Sequence, residues 1–443
     1  MKCIKKNKKW LILSFVIVLS LTIPSINLTS TEIYDLCYKK ELLRDGKLLF
    51  IRYRNPTLDP VLKTYEIYMF DPLTAKVTFL QKPGEKLYLT PAVSEDRTTV
   101  TYHALIEGND FLITRNLVTG VSTRLRFDTG GYFLKLAINY DNDTVAATLK
   151  RGENREAIYV ISNSRGTIKR IQNGSSFKQI GFLRNGNIFY VDESDTKKTL
   201  GIVRQDGKSR APVAFEPDYI EKTPGGDAVL YSKENELFLY KAAKNESIRI
   251  SQSFSPELPL PMMAPDGLSC AVFEENSILI VNIPSGDVMY FLTFDTAGSR
   301  GFLTDFTFYV EKLNRIYYIL HKKPDQHLYE AYRDEEPIKI IGVSPDDRFI
   351  VFQKKKRDEI IIYNRSNGTR FVKEFPFDVE DILIAPPVKL DSSPLYIYIS
   401  AISPGPKKDS LLRELYLYNY TNRSLTAIST AEDTDLKPYL IIQ

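Results

Sequence analysis

Cysteine and histidine are both scarce in this 443-residue chain, at three residues each, and there is a single tryptophan. Cys3, Cys37 and Cys270 are too few to staple a fold of this size. Cys270 sits in the apolar run Leu268–Phe273, where a buried thiol is expected; a Cys37–Cys270 bridge stays open for an oxidising compartment. The chain has no Gly-x-Ser-x-Gly elbow, no P-loop, no Gly-x-Gly-x-x-Gly and no paired Cys-x-x-Cys. Those absences remove the sequence signatures of serine hydrolases, nucleotide binding and zinc ribbons. No catalytic, cofactor-binding or metal-ligating residue is therefore assigned, and no cofactor is expected.

Charge of one sign is also lacking. The formal net charge is +4, and Lys2, Lys5, Lys6, Lys8 and Lys9 all precede residue 31 with no acid among them, so the remainder carries about −1. A near-neutral body argues against nucleic acid as the main partner, because phosphate contacts need a basic face. Trp10–Ile23 follows the lysines as one apolar run of about 14 residues, shorter than a comfortable membrane span. Residues 1–30 thus read as a signal peptide or membrane anchor. The anchor alternative uses residues 10–28, and a single propeller domain is expected over 31–443. Beyond residue 40 no second apolar stretch is long enough to cross a membrane.

Aromatic residues are plentiful, with 27 Tyr and 24 Phe, and they favour pleated, half-buried surfaces. They fall in short runs such as Leu48-Leu49-Phe50-Ile51, Ile158-Tyr159-Val160-Ile161 and Leu395-Tyr396-Ile397-Tyr398-Ile399. Many runs are apolar on both parities, the mark of strands buried on both faces. A polar turn recurs before one strand of each unit. It reads Leu43-Arg44-Asp45-Gly46, Ser94-Glu95-Asp96-Arg97, Tyr140-Asp141-Asn142-Asp143, Arg184-Asn185-Gly186-Asn187, Thr223-Pro224-Gly225-Gly226, Ala264-Pro265-Asp266-Gly267, Lys312-Leu313-Asn314-Arg315 and Ser344-Pro345-Asp346-Asp347. A weaker copy is Leu390-Asp391-Ser392-Ser393. A second strand follows each, for example YEIYMF or SILIVN, then a turn and a short strand such as Lys76–Leu80, Ser122–Phe127 or Arg370–Phe375.

The units recur about every 43 residues, the period of a four-stranded propeller blade. One blade cannot bury both of its faces; closing a ring covers each face with a neighbour. The fold expected is all-β, a β-propeller of four-stranded antiparallel blades. Nine units can be counted, but propellers usually have four to eight blades. Eight blades are expected, with seven or nine as alternatives, and the short interval between Arg315 and Arg348 is the place where a unit would be merged or degenerate.

The turn-plus-hairpin unit resembles the repeat of TolB-type, WD-like propellers, the periplasmic family of the Tol–Pal envelope system. The residues that carry the resemblance are Ser344-Pro345-Asp346-Asp347 before FIVF, Ala264-Pro265-Asp266-Gly267 before SCAVF, and Asp71-Pro72-Leu73-Thr74-Ala75 after YEIYMF. The resemblance implies an exported scaffold, periplasmic or extracellular. Its partner would be an envelope or secreted protein, a peptide or a glycan. The same repeat caps prolyl-oligopeptidase-type peptidases, whose nucleophile elbow has no counterpart here.

Remaining chemistry is thin. His103 and His321 end strands of different units and His327 opens another, so solvated or capping roles are expected. The acid pairs Asp141/Asp143, Glu274/Glu275, Asp334/Glu335/Glu336 and Asp346/Asp347 sit in turns. Lys354-Lys355-Lys356-Arg357 reads as an exposed hairpin turn, with contact to an anionic surface as the lesser reading. The function expected is a non-enzymatic binding scaffold in the cell envelope. The alternative is a propeller hydrolase or lyase acting on a glycan or small ester through carboxylates at a channel mouth.

Overall fold

A computed structural model of the chain describes residues 33–35, 39–43, 46–53, 65–127, 131–150, 155–194, 197–208, 212–255, 257–293, 300–322, 328–385, 395–404, 411–429 and 439–441. The N-terminal segment with its expected signal or anchor, Cys37, His327 and the turn at Leu390 lie outside them. Among the described residues there is no helix long and apolar enough to cross a membrane.

The described strands form nine sheets, antiparallel but for one short parallel strand on the last, and each is one blade of a β-propeller. Blade I runs Lys39–Phe79, II Ala92–Phe127, III Tyr132–Gly174, IV Phe177–Phe215 and V Ile220–Ser251. Blade VI runs Met262–Thr293, VII Arg300–Arg333, VIII Lys339–Glu374 and IX Asp378–Ile441. Within a blade the strands pair in chain order. The first strands of blades II to IV and of blades VI to IX touch their neighbours' first strands, which sets them innermost, around the axis.

The blade number corrects the expectation of eight. The reason is visible in blade VII. Lys312-Leu313-Asn314-Arg315 is not the turn between first and second strands; it is the two-residue hairpin between Thr307–Lys312 and Arg315–Leu320, with Leu313 at φ +56°. The equivalent turn in this blade is Thr304-Asp305-Phe306, which is shorter than the others and lacks their positive-φ residue. Placing the unit there restores even spacing through Asp266, Asp305 and Asp346, and no blade is merged.

Seven other blades share one turn. The N–H at its fourth position bonds to the carbonyl at its first, as in Arg97→Ser94 (2.8 Å), Gly226→Thr223 (2.8 Å) and Asp347→Ser344 (2.8 Å). That fourth residue takes positive φ in every case: Gly46, Arg97, Asn142, Gly186, Gly226, Gly267 and Asp347. Gly, Asn and Asp tolerate this conformation, which explains the composition of the motif. The turns also interlock around the ring. Arg97 donates to the Leu42 carbonyl (2.8 Å), and Asn142 to the Asp96 carboxylate (2.8 Å).

Nine apolar clusters occupy the nine seams between successive blades. Eight join neighbours in sequence. The ninth joins Leu48, Phe50 and Phe70 of blade I to Tyr396, Tyr398, Leu415 and Leu417 of blade IX, so the ring is closed. The Tyr398 hydroxyl donates to the Gly46 carbonyl across the same seam (2.7 Å). Ile33–Asp35 pairs in parallel with Leu411–Arg413 of blade IX before the chain enters blade I. This strand latches the start of the ring onto its end, and closure leaves no sheet face bare.

Candidate functional site

The innermost strands have a blade neighbour on one side only, and their other edge faces the axis. They are short and mixed in polarity, from Ala92–Val93 and Met262–Met263 to Tyr132–Ile138 and Asp378–Ile384. Bulges interrupt the pairing of four of them, between Phe133 and Lys135, Phe177 and Gln179, Ile340 and Gly342, and Val379 and Asp381. A bulge adds one residue and re-aims side chains. In blades III and IV it sets Leu134, Lys135, Lys178 and Gln179 on the wall of an axial cavity of about 680 Å³.

That cavity is walled by Thr90–Val93, Leu134–Ile138 and Lys178–Phe182. Gly181 leaves room behind the wall: a Cβ there would collide with the Phe189 ring. At the turn end a strut crosses the ring. Lys222 of blade V donates to Glu95 of blade II (2.9 Å) and to the Tyr140 hydroxyl of blade III (3.3 Å). Tyr140 in turn lies against Gly226, where a Cβ would overlap the phenol oxygen and where φ is +67°. Burial, with the nearby charges of Glu95 and Asp227, pushes the Tyr140 phenol well above its ordinary range, so it stays neutral as acceptor for the lysine.

The acids singled out in the sequence are engaged in turns. Asp141 accepts from the backbone of Asp143 and Thr144 and from the Asn139 amide. Asp143 accepts from Ser162 and Ser164, and Glu274 from Ser251 and Ser277. Asp346 accepts from Ser344 and Arg348. Asp347 departs from a surface role: it is 5% exposed and accepts from Thr304, Thr307 and Tyr309 of blade VII. Among the described residues no three potential metal ligands converge. Cys270 is a free, fully buried thiol whose pKa burial and Glu221 raise to about 12.

The two described histidines are buried, which corrects the solvated alternative of the expectation and leaves the capping one. His321 sits 3.1 Å from the Thr304 carbonyl and is 2% exposed. His103 lies 2.7 Å from Asp110 and stacks on Phe133 at 4.5 Å, beside an apolar cavity of about 700 Å³ that Tyr88, Leu89 and Tyr132 also line. His103 lies inside the buried strand Thr99–Ile106 and His321 directly follows the strand Arg315–Leu320, so both sit among core residues. Burial lowers both pKa values, against the opposing pull of Asp110 at His103 and of the Thr304 carbonyl at His321. In the unfolded chain they take up protons near pH 6.5, while in the fold they stay neutral to lower pH. The unfolded state thus binds more protons in that window, and stability falls as pH drops below about 6.5. Melting temperatures measured from about pH 7 to about pH 5 are expected to decline, with a shallower slope in His103→Gln; an unchanged slope contradicts a neutral His103.

No protein-family pattern matches this chain, and no curated protein does. Solved structures do. TolB from Acinetobacter baumannii is 15% identical over 54% of this chain and 61% of its own length, with a TM-score of 0.35. An oligogalacturonate lyase in complex with manganese is 11% identical over 77% of this chain and 96% of its own, with a TM-score of 0.40. The oligogalacturonate lyase of Vibrio parahaemolyticus is 11% identical over 76% and 89%, with a TM-score of 0.39. The likeness to TolB is one of fold. A propeller fold by itself leaves function to the site.

Proposed function

We propose that the protein is a binding propeller of the cell envelope that takes an extended, acidic segment of a partner protein into its axial cavity. The observation that carries this reading is the cavity wall. Innermost strands present unpaired edges to it, which suit main-chain pairing with an extended peptide. Lys135, Lys178 and Lys222 line it against Glu95, so an acidic segment is favoured over a basic one. Lys222 is already engaged by Glu95, and Lys178 lies 3.9 Å from Glu193, which leaves Lys135 as the cation most free to meet a ligand. Export through the basic, apolar N-terminal segment would deliver the ring to the envelope. Paired-carboxylate hydrolysis or elimination is less well supported, because the lining acid, Glu95, is neutralised by Lys222.

The test uses a fluorescent glutamate-rich peptide and a lysine-rich one of equal length. Binding of the acidic peptide alone, weakened by salt and lost in Lys135→Glu, is expected. Equal binding of both peptides, or an unaffected Lys135→Glu variant, contradicts the proposal.

A further inference from the structure

A separate concavity of about 490 Å³ opens where blades VII, VIII and IX begin. Arg300 and Lys339 enter it from the first residues of innermost strands, and Lys354, Lys355 and Arg357 from the hairpin of blade VIII; Asp378 and Glu380 oppose them. Several of these charges are satisfied elsewhere. Lys354 is held by Asp334 at 2.8 Å. Burial works against the Asp334 charge, but bonds from Lys354, Tyr332 and two backbone N–H groups outweigh it and keep the carboxyl at about 2. Glu380 is clamped by Arg413 through two bonds. Arg300 reaches Glu311 only at 3.9 Å. Lys339, Lys355 and Arg357 have no ion-pair partner among the described residues, and all three are exposed.

The hairpin is fixed in place. The Gln353 amide, itself 6% exposed, donates to the carbonyls of Arg357 (3.0 Å) and Val379 (3.3 Å). The Val379 N–H donates to the Arg357 carbonyl (2.8 Å). These bonds pin the backbone of the loop to the innermost strand of blade IX and so fix where its cations are rooted. Lys356, the fourth cation of the run, pairs instead with Glu374 at 3.3 Å on the open surface. The charge left unneutralised is thus concentrated in the concavity and not spread over the outer face. That arrangement fits a compact anion better than a flat anionic membrane.

We propose that this concavity is a binding site for a compact polyanion with adjacent phosphate-type oxyanions, of the size class of pyrophosphate. Arg357 supplies planar two-point hydrogen bonding, and Lys339 and Lys355 supply point charges. The site is independent of the axial cavity, and Lys135→Glu is expected to leave it intact.

Calorimetric titration of the full chain with pyrophosphate tests this, with phosphatidylglycerol vesicles as a parallel arm. Saturable binding is expected, weakened about tenfold or more in the combined Lys339→Ala, Lys355→Ala, Arg357→Ala variant, since each change removes a charged contact. Lys356→Ala is expected to stay within about twofold, as a surface pair contributes little. Absence of saturable binding overturns the proposal, and so does an equal loss in Lys356→Ala. Vesicle binding that needs the three cations but is not displaced by pyrophosphate also overturns it, in favour of a membrane surface. The exposed positions of the three cations keep the variant foldable, and an unchanged melting profile confirms that it is.

Discussion

Phe50→Ala is expected to destabilise the protein by about 3–5 kcal/mol, as much as Phe273→Ala in an interior seam. Both rings are buried, Phe50 at 0% and Phe273 at 1% exposure. Phe273 packs between blades VI and VII, Phe50 between blades I and IX. In an open array of repeats each unit touches only its neighbours, so a cavity at the terminal seam frays one end and leaves the rest standing. In a closed ring no seam is terminal. Loss of Phe50 removes contacts from two blades that every other blade depends on to stay in register. Denaturant unfolding of the two variants distinguishes the cases. Equal shifts of one cooperative transition fit closure; an early, small transition confined to Phe50→Ala fits an open chain of blades.

Asp347→Ala is expected to cost roughly 3 kcal/mol or more, because it strands buried hydroxyl donors. The carboxylate accepts from Thr304 (3.2 Å), Thr307 (2.9 Å) and Tyr309 (3.3 Å), each in blade VII. Blade VII has the abbreviated turn, and Asp347 of blade VIII fills the polar space that turn leaves. Asp347 also takes φ +58°, where alanine is strained and asparagine is tolerated. Asp347→Asn keeps an acceptor oxygen and is expected to lose less than half as much. Burial raises the Asp347 pKa, against the pull of its hydroxyl donors and Arg365. A carboxyl raised in the fold binds its proton there first, so its contribution to stability falls as pH rises from about 3.9 through the folded value. Asp347→Asn removes that slope, which thermal melts across the acid range measure. A variant as sensitive to pH as the parent contradicts the assignment.

The blades were legible in the sequence because the second and third strands of each carry the two-sided apolar runs that seam packing demands. Val145–Leu149, Val229–Tyr231 and Ser277–Val281 are buried almost without break. The innermost strands were not legible. They are as short as Ala92–Val93, and they admit Lys135 and Lys178 on the cavity wall, so neither length nor alternation marks them. Nine units can be counted, but the seventh turn is placed one strand late, at Lys312–Arg315, which shortens the next interval and favours eight. The first turn of blade VII, Thr304-Asp305-Phe306, lacks the positive-φ residue that is Gly, Asn or Asp in six of the other turns and Arg97 in the seventh, and the Leu313–Asn314 hairpin supplied a decoy. The site was less legible still. The Lys222–Glu95 contact joins residues 127 positions apart, and the basic concavity draws on three blades. Only ring closure brings such residues together. The run Lys354–Arg357 was visible as an exposed hairpin, but not that three of its members share a concavity with Lys339.

Ring closure by nine blades underlies the axial cavity, the strut and the basic concavity alike. Electron microscopy of the purified chain, averaged in views down the ring axis, tests it most directly. A closed ring of nine spokes, with blade IX against blade I, is the expected image. Eight spokes, or an open arc with a gap between the first and last blades, would contradict the account.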